Sequence, residues 1–422
     1  MSLTKIEPLF TDKLTELQLQ GISKGCEKVV TGMKAAGDGF GPRYFLEGQG
    51  DKPFLRMNSN SYLGLSANPN LIKAETDAAE KFGVGPGAVR FISGTYQPHI
   101  ELEQKLAQFH GRESAMLFSS AYATMMGVLP QFVSENTLIV SDALNHSCII
   151  NAVRLAHPAC KEVFAHADIN ALDKILEEYK GRVKRVCVVT DGIFSMRGDF
   201  APLDKINACC KNHEEAFDEG IITIVDDSHG VGAFGKTGRG TEEYTESNVD
   251  ILIATLGKTF GVNGGYVVSS AKVIAYLRET SPFYIYSNPI TPAEAASAIA
   301  ALDIIASHEG LLLLEKLRGY SARLRAGLEG LGYETLPGEH PIVPIFIRDT
   351  EKTSALVAHL FAHNILVTGL NYPVVPQGEQ EIRLQISAEH TEKDIDYLLA
   401  ILAEYKPFTW LEFTQKSFRN GE

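Results

Sequence analysis

Two short stretches carry residue types that could do chemistry together. In Ile251-Leu252-Ile253-Ala254-Thr255-Leu256-Gly257-Lys258 an apolar run gives way at once to a lysine, and Gly261, Gly264 and Gly265 follow. A lysine where a buried strand ends is unfavourable unless its amine has a job. Glycines beyond it let backbone pass close to a ligand. An amine in such a place can form a Schiff base with an aldehyde cofactor, because desolvation lowers its pKa. Taken alone, a lysine after a strand is more often a solvated surface residue. The second stretch is Ile221-Ile222-Thr223-Ile224-Val225-Asp226-Asp227-Ser228-His229-Gly230, where a β-branched run ends in a carboxylate with a histidine three residues on. In a parallel sheet, ligands gather outside the carboxyl ends of the strands. Asp226 and Lys258 at two such ends are a matched pair for pyridoxal phosphate: the carboxylate keeps the pyridine nitrogen protonated and the lysine holds the aldehyde. Separately, Asp226 would read as a helix cap or turn residue, and His229 as a satisfied structural histidine.

The elements that must position these groups follow from the apolar runs. Strands are expected at 115–118, 137–141, 183–190, 221–226, 251–256 and 266–268, and helices at 69–82 and 99–109. The small residues of Ser119-Ser120-Ala121-Tyr122-Ala123-Thr124 stand at a strand-to-helix turn. Free backbone N–H groups at the positive end of a helix make a phosphate site there. Beyond about residue 300, helical runs at 301–308 and 311–331 precede strands at 342–347 and 382–386, the pattern of a small α/β domain. Residues 1–35 read as an amphipathic helical arm with Leu14, Leu17, Leu19 and Ile22 near one face. The expected division is a segment 1–59, a large domain 60–300 and a small domain 301–422.

Composition narrows the partners. With 422 residues the chain should hold more than one core, and its net charge of −13 argues against nucleic acid or an anionic membrane as the main partner. An anionic substrate would need a local cationic site. No apolar run reaches transmembrane length. The six cysteines (Cys26, Cys148, Cys160, Cys187, Cys209 and Cys210) show no paired spacing, and the adjacency of Cys209 and Cys210 is poor for zinc, so no metal is expected. Buried free thiols in a reducing cytosol, hence a cytoplasmic protein, are the expectation.

Asp226-Asp227-Ser228-His229, Thr255-Leu256-Gly257-Lys258 and Ser141-Asp142-Ala143-Leu144-Asn145-His146 resemble motifs of the α-oxoamine synthases, pyridoxal-phosphate enzymes that condense an amino acid with an acyl-CoA. The likeness runs from Asn58 to Leu399, and Ala88-Val89-Arg90-Phe91-Ile92-Ser93-Gly94-Thr95 and the segment from Val367 to Pro376 resemble the 2-amino-3-ketobutyrate CoA ligase (glycine C-acetyltransferase) branch. The resemblance implies a fold-type I transferase: α/β, a large domain with a mostly parallel central sheet, and a small C-terminal α/β domain. It implies that Lys258 binds the cofactor, that Asp226 and His229 contact its ring, and that His146 lies flat on it. It gives the Ala121 and Tyr122 amides to the phosphate, and adds Thr255 and Ser195 to the cofactor set. Ser287 and Asn288 would reach the phosphate of a partner subunit's cofactor, making a homodimer with shared sites. Asn60, Ser195 and Arg383 would hold the amino-acid carboxylate, Arg383 through its planar fork. Arg90 has two readings, a surface arginine or a contact to CoA or the cofactor region. Ser61, Ala121, Thr124 and Arg197 depart from the family pattern. The expected substrates are glycine and acetyl-CoA. The alternative is an 8-amino-7-oxononanoate synthase-like or serine palmitoyltransferase-like enzyme using alanine or serine and a longer acyl-CoA; a plain aminotransferase ranks below both. A scaffold subunit that has lost the lysine is disfavoured by Lys258.

Overall fold

The computed structural model describes residues 3–19, 23, 27–372 and 374–405; Cys26, Pro373 and the tail 406–422 lie outside the described residues. Seven strands form the main sheet: β1 (Ser114–Phe118), β2 (Thr137–Asp142), β3 (Cys160–Phe164), β4 (Arg185–Asp191), β5 (Ile221–Asp226), β6 (Ile251–Thr255) and β7 (Gly265–Ser269). Their order is β1-β7-β6-β5-β4-β2-β3. From β6 to β3 every pairing is parallel, and β7 runs antiparallel to both β1 and β6. Such strands are covered on both faces and therefore read as unbroken apolar runs. All of β2 and all of β7 are buried. Ile139, Val189, Ile224, Ile253 and Val267 meet in the core beneath the sheet with Met125 and Leu277.

The register does the positioning. Asp191 stands opposite Asp226. Asp226 is opposite Ile253, Thr255 is opposite Gly265, and Gly265 is opposite Phe118. The chain therefore leaves β1, β4, β5 and β6 at one edge of the sheet. Helices α1 (Ala121–Val128), α2 (Ser147–Ala156), α3 (Ile169–Tyr179) and α4 (Leu203–His213) follow β1, β2, β3 and β4. The helix Pro292–Ile305, started by a capping box between Thr291 and Glu294, is apolar on nearly all sides because it packs on Pro69–Phe82 and Gln97–Phe109. Among the described residues no single helix is long and apolar enough to cross a membrane.

The chain divides into two units rather than the three expected segments: Asn60–Ser321 with Gly338–Pro341, and Met1–Ser59 with Ala322–Pro337 and Ile342–Glu422. The N-terminal segment groups with C-terminal residues because parts of it are tied to them. Leu55–Arg56 pairs in parallel with Ile365–Leu366, and Arg43 meets the buried Asp394 at 2.5 Å. The helix expected over 1–35 covers Leu3–Leu19 and buries none of its side chains, while Val30–Lys34 is a strand paired with Arg43–Leu46. The same unit holds an antiparallel sheet in which Glu381–Gln385 lies between Ile342–Phe346 and Thr368–Leu370.

Candidate active site

Two carboxylates end neighbouring parallel strands. Asp226, 5% exposed, accepts the Ser228 amide on Oδ1 at 3.1 Å, and its Oδ2 faces the Cys148 thiol at 3.4 Å. Burial, then the Asp226 charge, pushes the Cys148 thiol pKa far up, so the thiol stays protonated and donates. Asp191 accepts the His146 amide at 2.8 Å. Burial first, and then the charge of Asp226, raises the Asp191 pKa well above the carboxylate range. Asn145 braces the two loops: its Oδ1 accepts the Asp191 amide at 2.8 Å, and its Nδ2 donates to the Val189 carbonyl at 2.8 Å and the Ser141 hydroxyl at 2.9 Å.

His146 caps α2, its Nδ1 accepting the Cys148 amide at 3.3 Å. The neutral ring therefore carries its proton on Nε2. Its side chain is exposed, with Tyr122 edge-on at 6.5 Å between centroids. Desolvation by the groups packed about it lowers its pKa, Lys258 adds to that, and Asp226 opposes it.

Lys258 is half-buried in a loop held by backbone bonds from Leu256 to Gly264, from Val262 to Leu256 and from Gly261 to Lys258. Gly261 has φ +71°, and a Cβ there would lie 2.5 Å from the Ser66 amide, so only glycine lets this loop rest on the segment after Asn60. The Thr255 hydroxyl donates to the Gly264 carbonyl at 3.1 Å and accepts the Gly257 amide at 3.0 Å, which shapes the loop from within. Gly265 brings the same loop against α1: a Cβ on it would stand 2.2 Å from the Ala121 nitrogen. At the start of α1 the Ser120 hydroxyl accepts the Ala123 amide at 3.1 Å. The Ala121 and Tyr122 amides occupy the first helical positions, which the helix itself cannot satisfy. Thr124, which departs from the family pattern, turns its hydroxyl back to the Ser120 carbonyl at 2.8 Å.

His229 is tied to Tyr62, which is fully buried: the hydroxyl lies 2.7 Å from His229 Nδ1 and 3.4 Å from Asn60 Oδ1. The 2.7 Å contact couples the phenol proton to the histidine tautomer: where the phenol donates to Nδ1, Nε2 keeps its hydrogen to donate. His340 Nε2 donates to the His229 carbonyl at 2.9 Å. We predict that Tyr62→Phe, which frees the tautomer, lowers kcat about 10-fold, the worth of one buried hydrogen bond. It should also shift the pH profile while leaving cofactor occupancy intact; steady-state rates across pH check this, and an unchanged profile would refute the coupling.

Ser195 lies half-buried in the loop after β4. Arg197, another departure, pairs with Asp199 at 2.9 Å, and Asp199 with His166, which also meets Asp142 at 3.1 Å. Burial opposes a charge on His166, but the bonds to Asp142 and Asp199 win and raise its pKa to about 9. Arg90 is not a surface arginine. Its guanidinium is buried, forked onto Glu103 at 3.1 and 3.2 Å, and its Nε donates to Thr95 at 3.0 Å. The reason is Glu103, a buried carboxylate that also accepts Arg278 at 2.8 Å and the Leu117 amide at 3.1 Å. Ser287 and Asn288 sit in the turn after the short helix Pro282–Ile285, Asn288 exposed. Arg383 lies in the other unit, on the central strand of its sheet opposite Pro344 and Thr368. Tyr62, Asn145, Cys148, Asp191 and His340 were not singled out from the sequence. The run from Ser141 to His146 carried a signal for Asn145; the others depend on long-range contacts.

These groups fit pyridoxal phosphate: a buried carboxylate, a lysine loop, an exposed imidazole face and two helix-start amides share one sheet edge. Residues 52–402 match the model of the aminotransferase class I and II family. The 8-amino-7-oxononanoate synthase of Geobacter sulfurreducens is 35% identical over 393 residues, covering 93% of this chain and 96% of that one. The 8-amino-7-oxononanoate synthase 1 of Bacillus velezensis is 38% identical over 364 residues, covering 86% and 90%. A solved structure of SPT with PLP superposes with a TM-score of 0.85 at 27% identity, covering 95% of this chain and 97% of that chain. These relatives are not of the ligase branch that the motifs suggested. The chain belongs to the aminotransferase class I and II family and, within it, to the α-oxoamine synthases: it is a pyridoxal-phosphate-dependent enzyme of the acyltransferase type, with the fold-type I architecture.

Proposed function

We propose that the protein joins the acyl group of a longer-chain acyl-CoA to a small amino acid, alanine first and serine second, releasing CoA and carbon dioxide and forming an α-amino ketone. The observation that carries this reading is a match at 35% identity, over 93% of the chain, to an 8-amino-7-oxononanoate synthase. In that product the terminal methyl and the amine-bearing carbon are what alanine leaves once its carboxylate departs. Glycine with acetyl-CoA, the pair expected from the motifs, draws less support.

Pyridoxal phosphate, when bound, supplies an electron sink that lets a bond at the amino acid's Cα break. We assign the aldehyde linkage and then the Cα proton to Lys258 Nζ, and the ring nitrogen to Asp226. His229 Nε2–H donates to the ring hydroxyl, His146 covers the ring face, and the Ala121 and Tyr122 amides hold the phosphate. Asn60, Ser195 and Arg383 are assigned, as the family resemblance implies, to the substrate carboxylate. Arg90, whose fork is occupied by Glu103, is left out of this set. Thr255 acts by shaping the lysine loop. We assign Ser287 and Asn288 to the phosphate across a homodimer interface.

The test is CoA release by the purified holoenzyme over a matrix of alanine, serine and glycine against acyl-CoAs of increasing chain length. We expect the highest kcat/KM with alanine and a chain longer than acetyl. Preference for glycine with acetyl-CoA would restore the ligase-like reading. Amino-group exchange with 2-oxo acids and no response to any thioester would replace the proposal with an aminotransferase.

A further inference from the structure

On the helices flanking the sheet, two i,i+4 pairs face each other. Asp173 and Glu177 lie on α3, and Cys209 and His213 on α4, with α3 packed on α4. His213 Nε2 is 2.8 Å from Asp173 Oδ1, and Cys209 Sγ is 4.0 Å from the same oxygen. One donor atom from each of Asp173, Cys209 and His213 falls within 4.8 Å of the others. Cys209 and His213 are 5% and 6% exposed, whereas Asp173 is open to solvent. Among the described residues, His213 Nδ1 is buried without a hydrogen-bond partner, and Glu177 Oε2 stops 3.8 Å from it. Lys180 reaches the same Glu177 carboxylate from the exposed side.

We propose that Asp173, Cys209 and His213 bind a divalent transition-metal ion, zinc foremost, with Glu177 as the partner that orients the histidine. Thiolate, imidazole and carboxylate in one cluster are zinc's own donor types, and three protein ligands leave a fourth position for water. At bond lengths of about 2.0–2.3 Å, tetrahedral ligands stand roughly 3.3–3.7 Å apart. The 2.8 Å contact must open and the 4.0 Å contact must close, and Asp173, being exposed, has the freedom to do both. The orphaned Nδ1 is the second sign. Metal on Nε2 fixes the hydrogen on Nδ1, and Glu177, 3.8 Å away, is placed to accept it and complete a carboxylate–histidine–metal relay. Binding expels the Cys209 thiol proton to solvent and changes no oxidation state. Adjacency of Cys209 and Cys210 gave no such hint, because the partners come from His213 one turn on and from another helix.

The probe is Co²⁺, titrated into the holoenzyme without amino acid and followed by the thiolate-to-metal and d–d bands in difference spectra. We expect one equivalent per chain, displaced by Zn²⁺. Cys209→Ser should lose the thiolate band, and Cys210→Ser should keep it. Glu177→Gln should weaken binding about 10–100-fold. Asp173→Asn, an exposed change that leaves the fold intact, should also weaken it. A wild type without a thiolate band, a band that survives Cys209→Ser, or undiminished affinity in both Asp173→Asn and Glu177→Gln would overturn the site.

Discussion

Replacing Lys258 with alanine abolishes turnover while leaving a folded protein that still takes up pyridoxal phosphate. The lysine loop is held by backbone bonds between Leu256 and Gly264 and by the Thr255 hydroxyl, none of which uses the Lys258 side chain. Asp226 and the α1 amides remain to hold the cofactor. The variant loses the covalent attachment and the base at once. A positioned base alone contributes about 10²–10⁴-fold, so the combined loss in kcat should be on the order of 10⁴-fold or more. Single-turnover CoA release gives the rate, and borohydride reduction with peptide mapping of the wild type should mark Lys258. Activity within tenfold of wild type, or a label on another lysine, sinks the assignment.

Asp226→Asn should be nearly as damaging, for a different reason. Asparagine can still accept the Ser228 amide, so the local fold survives; what disappears is the carboxylate assigned to the ring nitrogen. One charge-assisted bond is worth about 1.5–3 kcal/mol in binding. The lost electron sink takes catalysis further, to a fall on the order of 10³-fold in kcat, with cofactor retained but held less tightly. Steady-state kinetics with a cofactor-binding titration measures both. A variant close to wild type would mean that another group, with Asp191 the neighbouring carboxylate, meets the nitrogen.

The parts of this site that could be read from the sequence are those written in contiguous residues. Buried parallel strands appear as apolar runs, and a polar residue ending such a run, as Asp226 does, marks the sheet edge. The lysine loop and the small-residue turn before α1 are local in the same way. What could not be read joins distant residues. Tyr62 meets His229 across 167 positions, and Asn145 meets Asp191 across 46. Arg90 was ambiguous because its partner Glu103 looked like one more charge on a helix face. The place of the N-terminal segment was not legible because Leu55–Arg56 pairs with a strand three hundred positions later, while only Val30–Lys34 and Arg43–Leu46 pair locally.

That pairing fixes an order of events during synthesis. Arg43 and Gly41 bind Asp394 across 351 and 353 positions, and Leu55 waits for Ile365. The unit that begins the chain is therefore the last to be completed on the ribosome. The strands of the main sheet are all translated before Ala271, so that sheet can close while Leu55–Arg56 still lacks its partner strand and Arg43 its carboxylate. The Leu55–Arg56 edge stays open to other chains until Ile365–Leu366 emerges, and Arg43 waits longer, for the helix Glu392–Glu404, which makes this segment a stretch that needs shielding while the protein is being made.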